Sequence, residues 1–315
     1  MLKECLGKSA LKEPHIQQIV ELFSQNYEKY HYNNLLNVNE TNELLNSEDF
    51  NCVYILSDDK LVGFAGIYLK SEKKATVKEY LLAHLLVDKN ERGKRLGNVL
   101  EDLRLKMIAQ DHEDKIIFAS CVEKPMYSMK IKSARNFVVN GFRYKYRNKN
   151  DNFENSVVMI NSDHIAKKEA LIVPDAASVT KKLIQNGNPY VRFKKNNGFI
   201  QHKYGIKKVC TFSNRNTYAL SSDEESSLDI KEALNQIELS PDRYISVKFP
   251  LSINGFSEVD KSLLEAGFLP VCYIPYAKEY YGLIEYQYLP NGIDNIITDD
   301  SISIEGKKFL KKIFK

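Results

Sequence analysis

Apolar positions in the first part of the chain follow two periods in turn. Ile16, Ile19, Val20, Leu22 and Phe23 recur at helical spacing behind Pro14, a residue suited to the first turn of a helix. Leu44 and Leu45 mark a short second helix. Residues 52–56 and 61–68 are apolar, β-prone runs joined by Ser57-Asp58-Asp59-Lys60, which predicts a hairpin. Charged residues from Lys70 to Lys74 make the next turn, and residues 76–88 read as a central strand. Leu96, Leu100, Leu103 and Met107 then line one face of an amphipathic helix. Residues 115–122 carry no charge after Lys115 and read as a buried strand. A helix is predicted over residues 128–139, closed by Asn140-Gly141-Phe142 with Asn140 or Gly141 at positive φ. Residues 143–147 and 156–160 follow as paired strands.

In the second part, residues 176–184 read as a helix stopped by Asn186-Gly187-Asn188-Pro189. Residues 190–193, 198–204 and 207–212 predict a three-stranded meander. A polar, acidic loop at residues 221–227 leads into a helix over 228–237. Then come a strand at 244–249, a helix at 258–266 closed by Gly267-Phe268, and strands at 269–275 and 282–289. The order strand, proline-containing loop, helix, Gly-Phe, strand, strand thus occurs twice, at 116–160 and at 244–289. This is an internal repeat of elements rather than of residues.

The junction after the central strand carries the chemistry. Arg92-Gly93-Lys94-Arg95-Leu96-Gly97 joins that strand to the amphipathic helix. A helix N-terminus leaves N–H groups free, its dipole favours an anion, and Arg92, Lys94 and Arg95 add charge suited to a phosphate. The motif GxxxxGK[ST] of nucleoside-triphosphate loops is absent, and so is the GxGxxG of dinucleotide folds.

A strand running into R/Q-x-x-G-x-G/A resembles the signature of the GNAT superfamily, the acyl-CoA N-acyltransferases. Arg92 and Gly97 match it. Arg95 stands where that family usually has glycine, a substitution expected to be accommodated only at negative φ. The Val62-Gly63-Phe64-Ala65-Gly66 strand is similar to the family's third strand. The resemblance implies an α/β (α+β) chain of two GNAT-like domains, each with a mixed, mostly antiparallel central sheet flanked by helices. Residues 1–165 form the domain that binds acetyl-CoA. Residues 166–315 form a degenerate copy lacking the pyrophosphate loop, with the acidic 221–227 run in its place.

The same resemblance implies roles for named residues. Backbone groups of Leu85, Leu86 and Val87 hold the acyl arm, and Arg92, Gly93, Lys94, Arg95, Leu96 and Gly97 hold the pyrophosphate. Glu79 and His84 are the candidate bases on the central strand. The family often places a tyrosine four residues before the Gly-Phe; there this chain has Phe137, so Tyr127 and Ser128 become the candidate acids. Tyr27, Tyr30, His31 and Tyr32 follow the first helix and are candidates for the acceptor pocket. The implied activity is transfer of an acetyl group from acetyl-CoA to a primary amine of a small molecule or peptide. The competing reading is a non-catalytic CoA-sensing or partner-binding module, suggested by Arg95 and Phe137.

Composition narrows the partners. The 315 residues carry 45 basic and 41 acidic side chains, net +4, a balanced surface that does not call for nucleic acid. Five scattered cysteines with no CxxC predict free buried thiols rather than a metal site or disulfides. No apolar run reaches the roughly 18 residues of a membrane span, and the N-terminus has no apolar leader region. A cytoplasmic monomer or homodimer without a membrane partner is expected, its basic amphipathic tail at 307–315 docked as a terminal helix.

Overall fold

A computed structural model describes residues 2–26, 35–71, 77–124, 126–149, 152–164, 172–188, 191–194, 203–212, 215–222, 227–240, 243–253, 255–275 and 282–315. The chain divides into two compact units. The first comprises Met1–Ser120 with Lys130–Arg135, the second Cys121–Met129 with Asn136–Lys315. Both are mixed α/β, with mostly antiparallel sheets flanked by helices.

The first unit runs β1 (Leu2–Leu6), α1 (Glu13–Asn26), α2 (Val38–Asn46), β2 (Phe50–Ser57), β3 (Lys60–Leu69), β4 (Val77–Val87), α3 (Leu96–Ala109) and β5 (Asp114–Val122). Its strands lie in the order β1-β2-β3-β4-β5, antiparallel except for the parallel β4–β5 pair. Both faces of this sheet are covered, which explains the unbroken apolar run in β2. Cys52, Tyr54 and Leu56 pack with Ile19, Leu22 and Phe23 of α1 on one face. Val53 and Ile55 pack with Leu96, Leu100 and Leu103 of α3 on the other. Full burial of each such aliphatic chain stabilises by roughly 1.5–3 kcal/mol. Asn37 starts α2 by accepting from the N–H groups of Asn39 and Glu40, a cap worth about 1 kcal/mol. Strand β1 was not anticipated; its burial pattern, with Cys5 alone buried, gives no alternation strong enough to mark it.

The helix after β5 differs from expectation. Helix α4 is only Tyr127–Ser133. Asn136, at φ +60°, makes the left-handed turn that ends this region, not Asn140 or Gly141. Phe137, Val138 and Val139 then begin β6 (Phe137–Lys149), because β-branched and aromatic residues favour extended backbone once the helix has closed. Gly141 serves close packing within that strand: a Cβ there would lie 2.7 Å from the Cys272 sulfur of β13 (Phe268–Ile274), its partner in register.

The second unit continues with β7 (Asn152–Asn161), β8 (Ile172–Pro174), α5 (Ser178–Gly187), β9 (Arg192–Lys194), β10 (Gly205–Phe212), β11 (Arg215–Ser221) and α6 (Ile230–Asn235). It ends with β12 (Tyr244–Pro250), α7 (Phe256–Glu265), β13, β14 (Leu283–Tyr288), α8 (Gly292–Thr298) and α9 (Ile304–Phe314). The sheet order is β7-β6-β13-β14-β12-β11-β10. Most of the middle strand of the anticipated meander falls outside the described residues. Strand β9 pairs in parallel with β8, and β10 forms a hairpin with β11, a strand the sequence reading missed. Residues 195–202 lie outside the described residues. The basic tail is docked, as α9 buries Phe309, Leu310 and Ile313. Among the described residues no helix is long and apolar enough to cross a membrane. Among the described residues, Cys5, Cys52, Cys121 and Cys272 are buried and form no disulfide.

A repeated plan is visible in the local topology. Strand β4, helix α3 and parallel strand β5 correspond in order to β11, α6 and parallel strand β12. Each set is followed by a helix and an antiparallel pair, α4 with β6–β7 and α7 with β13–β14.

Candidate active site

The site is organised by an irregularity in β4. Its register with β3 passes from Gly66↔Ala83 to Phe64↔Leu86, so His84 and Leu85 together oppose Ala65. This is a β-bulge, and His84 takes the left-handed conformation at φ +55° that such an extra residue requires. Register with β5 extends only from Val77↔Asp114 to Leu82↔Ala119, while β4 runs on through Val87. The main chain of Leu85, Leu86 and Val87 therefore lies past the bulge and past the parallel ladder. Leu86 packs into the α1 face, and Leu85 and Val87 into the α3 face.

The bulge directs His84 into an aromatic setting. Its Nε2 lies 2.8 Å from the Tyr68 hydroxyl. Phe23 and Tyr68 meet the ring edge-on, at centroid distances of 5.6 and 5.5 Å. Gly66 makes the room: a Cβ there would sit 2.9 Å from Phe50 and 3.1 Å from His84. Glu79 lies on the same strand, only 6% exposed, and its carboxylate has no side-chain partner among the described residues. Burial disfavours the charge and pushes its pKa up to about 7. A carboxyl poised there exchanges a proton near neutrality, which is what a general base needs.

At the end of β4, Asp88 anchors the turn. It accepts from the Asn90 N–H at 2.9 Å and pairs with Lys60 at 3.3 Å. The Asn90 bond and Lys60 hold its carboxyl below the usual range despite burial. Arg92, Gly93, Lys94 and Arg95 are exposed. Gly93 lies at φ +83°. Arg95 lies at φ +61° as the residue preceding α3, so the expectation of a negative φ is overturned. Left-handed backbone costs a residue with a Cβ roughly 1–2 kcal/mol; the turn imposes it because α3 must begin at Leu96 to bury Leu96 and Leu100. Among the described residues, no acceptor within the protein takes the N–H groups of Gly93, Lys94, Arg95, Leu96 or Gly97. The Arg95 carbonyl, in contrast, already accepts from Asn98 and Val99. Free amides, a helix of 14 residues and three cations make an anion cradle. Arg92 is steadied by the Asn26 side chain at 2.5 Å and Lys94 by Glu91 at 2.7 Å.

Tyr127 and Ser128 open α4. Tyr127 is 73% exposed, and Ser128 is partly buried. They are grouped in the second compact unit, apart from Glu79, His84 and the cradle, which share the first. Because Asn136 closes this region, the residue four positions before the turn is Lys132, not Phe137. Lys132 is buried and donates to Glu101 at 2.8 Å. Tyr27, Tyr30, His31 and Tyr32 lie outside the described residues. Sequence reading missed Glu101 and Arg104, two fully buried charges on α3. The available signal was position, since Arg104 follows Leu96 by eight residues and Leu100 by four, on the apolar stripe itself.

A central strand that runs through a cationic turn into a helix is the order of elements that the resemblance described above implied. Residues 16–127 match the sequence model of the acetyltransferase (GNAT) family. It is similar in fold to an N-acetyltransferase from Staphylococcus aureus Mu50, at 16% identity and a TM-score of 0.40, over 51% of this chain and 96% of that one. The ribosomal-protein-S18-alanine N-acetyltransferase of Escherichia coli gives 12% identity and 0.43, over 53% and 97%. A GNAT-family acetyltransferase of Streptococcus pneumoniae gives 12% and 0.42, over 51% and 98%. At these distances none of the three carries a substrate or mechanism across. Among curated proteins, none matches.

Proposed function

We propose that the chain is an N-acetyltransferase that moves an acetyl group from acetyl-CoA to a primary amine of a small molecule or peptide, both substrates being bound together. The observation that carries this reading is the row of uncommitted amides from Gly93 to Gly97 under Arg92, Lys94 and Arg95. That donor set fits a diphosphate: several convergent N–H groups and guanidinium forks recognise adjacent anionic oxygens. Acetyl-CoA supplies the activated acyl carbonyl. The residues of this chain do the rest.

Backbone groups of Leu85, Leu86 and Val87, freed from the parallel ladder, orient the acyl arm and polarise its carbonyl. Glu79 takes a proton from the incoming ammonium; His84, hydrogen-bonded to Tyr68, is the second candidate for that task. Tyr127 and Ser128 are the candidates for protonating the departing thiolate. Tyr27, Tyr30, His31 and Tyr32 border the acceptor. Residues 1–165 constitute the catalytic GNAT domain and residues 166–315 a degenerate copy that binds no CoA. The site of action is cytoplasmic. Phe137 lies in β6 and Lys132 stands four residues before the Asn136 turn, so no tyrosine occupies that place, which is what favours the non-catalytic module.

The test is calorimetric titration with acetyl-CoA, followed by thiol release over a panel of amines. Binding at one site per chain and release with one amine class are expected. No heat at millimolar acetyl-CoA would overturn the reading, and binding without release on any amine would favour the CoA-sensing module.

A further inference from the structure

We propose that Arg104 is a positioning residue for acyl transfer, holding the β4 bulge open from beneath the sheet. This rests on the acyl-transfer reading above. Arg104 is fully buried, and its Nη1 donates to the Ala83 carbonyl at 3.0 Å and the Gly66 carbonyl at 3.3 Å. Those two residues are the last registered pair before the bulge. Its Nη2 donates to Glu101, whose other oxygen accepts from Lys132 at 2.8 Å. Burial opposes ionisation of Glu101, yet Arg104 and Lys132 outweigh it and hold that carboxyl down, to about 2. The three groups form one dry ionic chain from the sheet through α3 to α4.

Stability alone does not explain such a chain. Apolar side chains of similar volume commonly replace buried ion pairs without loss. An aliphatic residue, however, cannot donate to two backbone carbonyls. A bulge interrupts the ladder, and an acceptor left without a donor in a dry interior costs roughly 1–3 kcal/mol. Arg104 supplies donors where the bulge needs them. Without it, β4 gains by sliding back into regular pairing with β3, and a one-residue slip turns every following side chain to the opposite face. Leu85, Leu86 and Val87 are the residues that would turn. The guanidinium thus sets the direction of the main-chain groups that hold the acyl arm, and leaves the anion cradle on the far side of Asp88 untouched. Lysine cannot replace it, since a point charge lacks the fork that serves Glu101 and both carbonyls at once.

The experiment compares wild-type protein with Arg104→Met and Arg104→Lys. Arg104→Met leaves Glu101 and Lys132 as a balanced pair, and Arg104→Lys keeps the cation. Three quantities are read in the full chain: amide exchange across residues 80–88 without ligand, affinities for acetyl-CoA and for 3′-phospho-ADP, and kcat with the best amine. Both variants should exchange faster across 80–88 and bind 3′-phospho-ADP as wild type does. They should lose affinity only for acetyl-CoA, with kcat down about 100-fold, the scale set by misplacing a reacting group by an ångström. Variants that match wild type in exchange and kcat overturn the inference alone. Equal losses for both ligands, or failure of both variants to fold, assign Arg104 to stability and overturn it too. A wild-type protein that binds neither ligand defeats the acyl-transfer reading, and the positioning role with it.

Discussion

Two strand-to-helix junctions follow the same order in this chain and are built for opposite ends. In the first, β4 carries a bulge at His84, and Gly93 and Arg95 both take positive φ before a helix of 14 residues. The N–H groups from Gly93 to Gly97 are left uncommitted among the described residues. In the second, no described residue of β11 takes positive φ, and α6 has six residues. Its start is closed by a capping box, in which Asp229 accepts from the Glu232 N–H and Glu232 accepts from the Asp229 N–H. At the second helix start the N–H groups of Asp229 and Glu232 are met by each other's carboxylates, and those carboxylates repel an anion. The strands differ in the same sense. The third registered pair is Glu79↔Ile116 between β4 and β5 but Thr217↔Ser246 between β11 and β12. A buried ionisable group in one stands where the other has a hydroxyl, bonded to Ser246 Oγ at 3.2 Å. Shared topology therefore says little about shared chemistry; the commitment of a few amides and one carboxyl decides it.

The largest effect should come from Glu79→Gln. Loss of a general base costs about 10²–10⁴-fold in rate. In the wild type, the rate should rise with pH through an inflection near 7, as Glu79 ionises. The variant's pH profile should lack that limb, and an unchanged profile would remove Glu79 from the mechanism. The same shift bears on stability. A carboxyl raised by burial favours the folded state while protonated, so its contribution is complete below the ordinary carboxylate range. It fades as pH climbs through 7, and thermal unfolding of Glu79→Gln should lack that decline.

Next in size is Gly97→Glu, which brings a carboxylate into the cradle and makes the first junction resemble the second. Acetyl-CoA should bind about 100-fold more weakly by calorimetry, equivalent to losing one charge-assisted contact of nearly 3 kcal/mol. Retained affinity would locate the anion elsewhere. The converse change, Asp229→Ala, should destabilise by about 1 kcal/mol through loss of the cap. Binding stoichiometry should stay at one acetyl-CoA per chain, and a second site appearing would break the contrast. The smallest effect is Arg95→Gly. Relief of left-handed strain, less the entropy glycine adds to the unfolded chain, should stabilise by roughly 0.5–1 kcal/mol in urea. A loss of stability would mean that the Arg95 side chain offsets its backbone strain.

Local patterns were legible where one face or one period dominated. Pro14 with its helical stripe, the hairpin through Asp58-Asp59, and the helix from Leu96 all read directly, because each declares its period within a few residues. The turn between β4 and α3 read directly too, since glycine and cations at a strand-to-helix join are a local feature. The end of α4 did not. Asn136-Phe137 and Gly141-Phe142 are alternative stops five residues apart, and only packing separates them: Gly141 is needed where Cys272 approaches, while Asn136 is free to turn. That error put Phe137 at a helix position that belongs to Lys132.

The amino-acid order thus determined most of the elements, their repeated succession and the cationic turn after β4, because these depend on neighbours in the chain. Tertiary structure decided the rest. It buried Glu79 until its proton became labile near neutrality, set His84 edge-on or tilted among Phe23, Phe50 and Tyr68, and drew Arg104 under a bulge whose partners are 21 and 38 residues away in sequence. Desolvation and register arise from groups brought together by folding, and no stretch of sequence contains them.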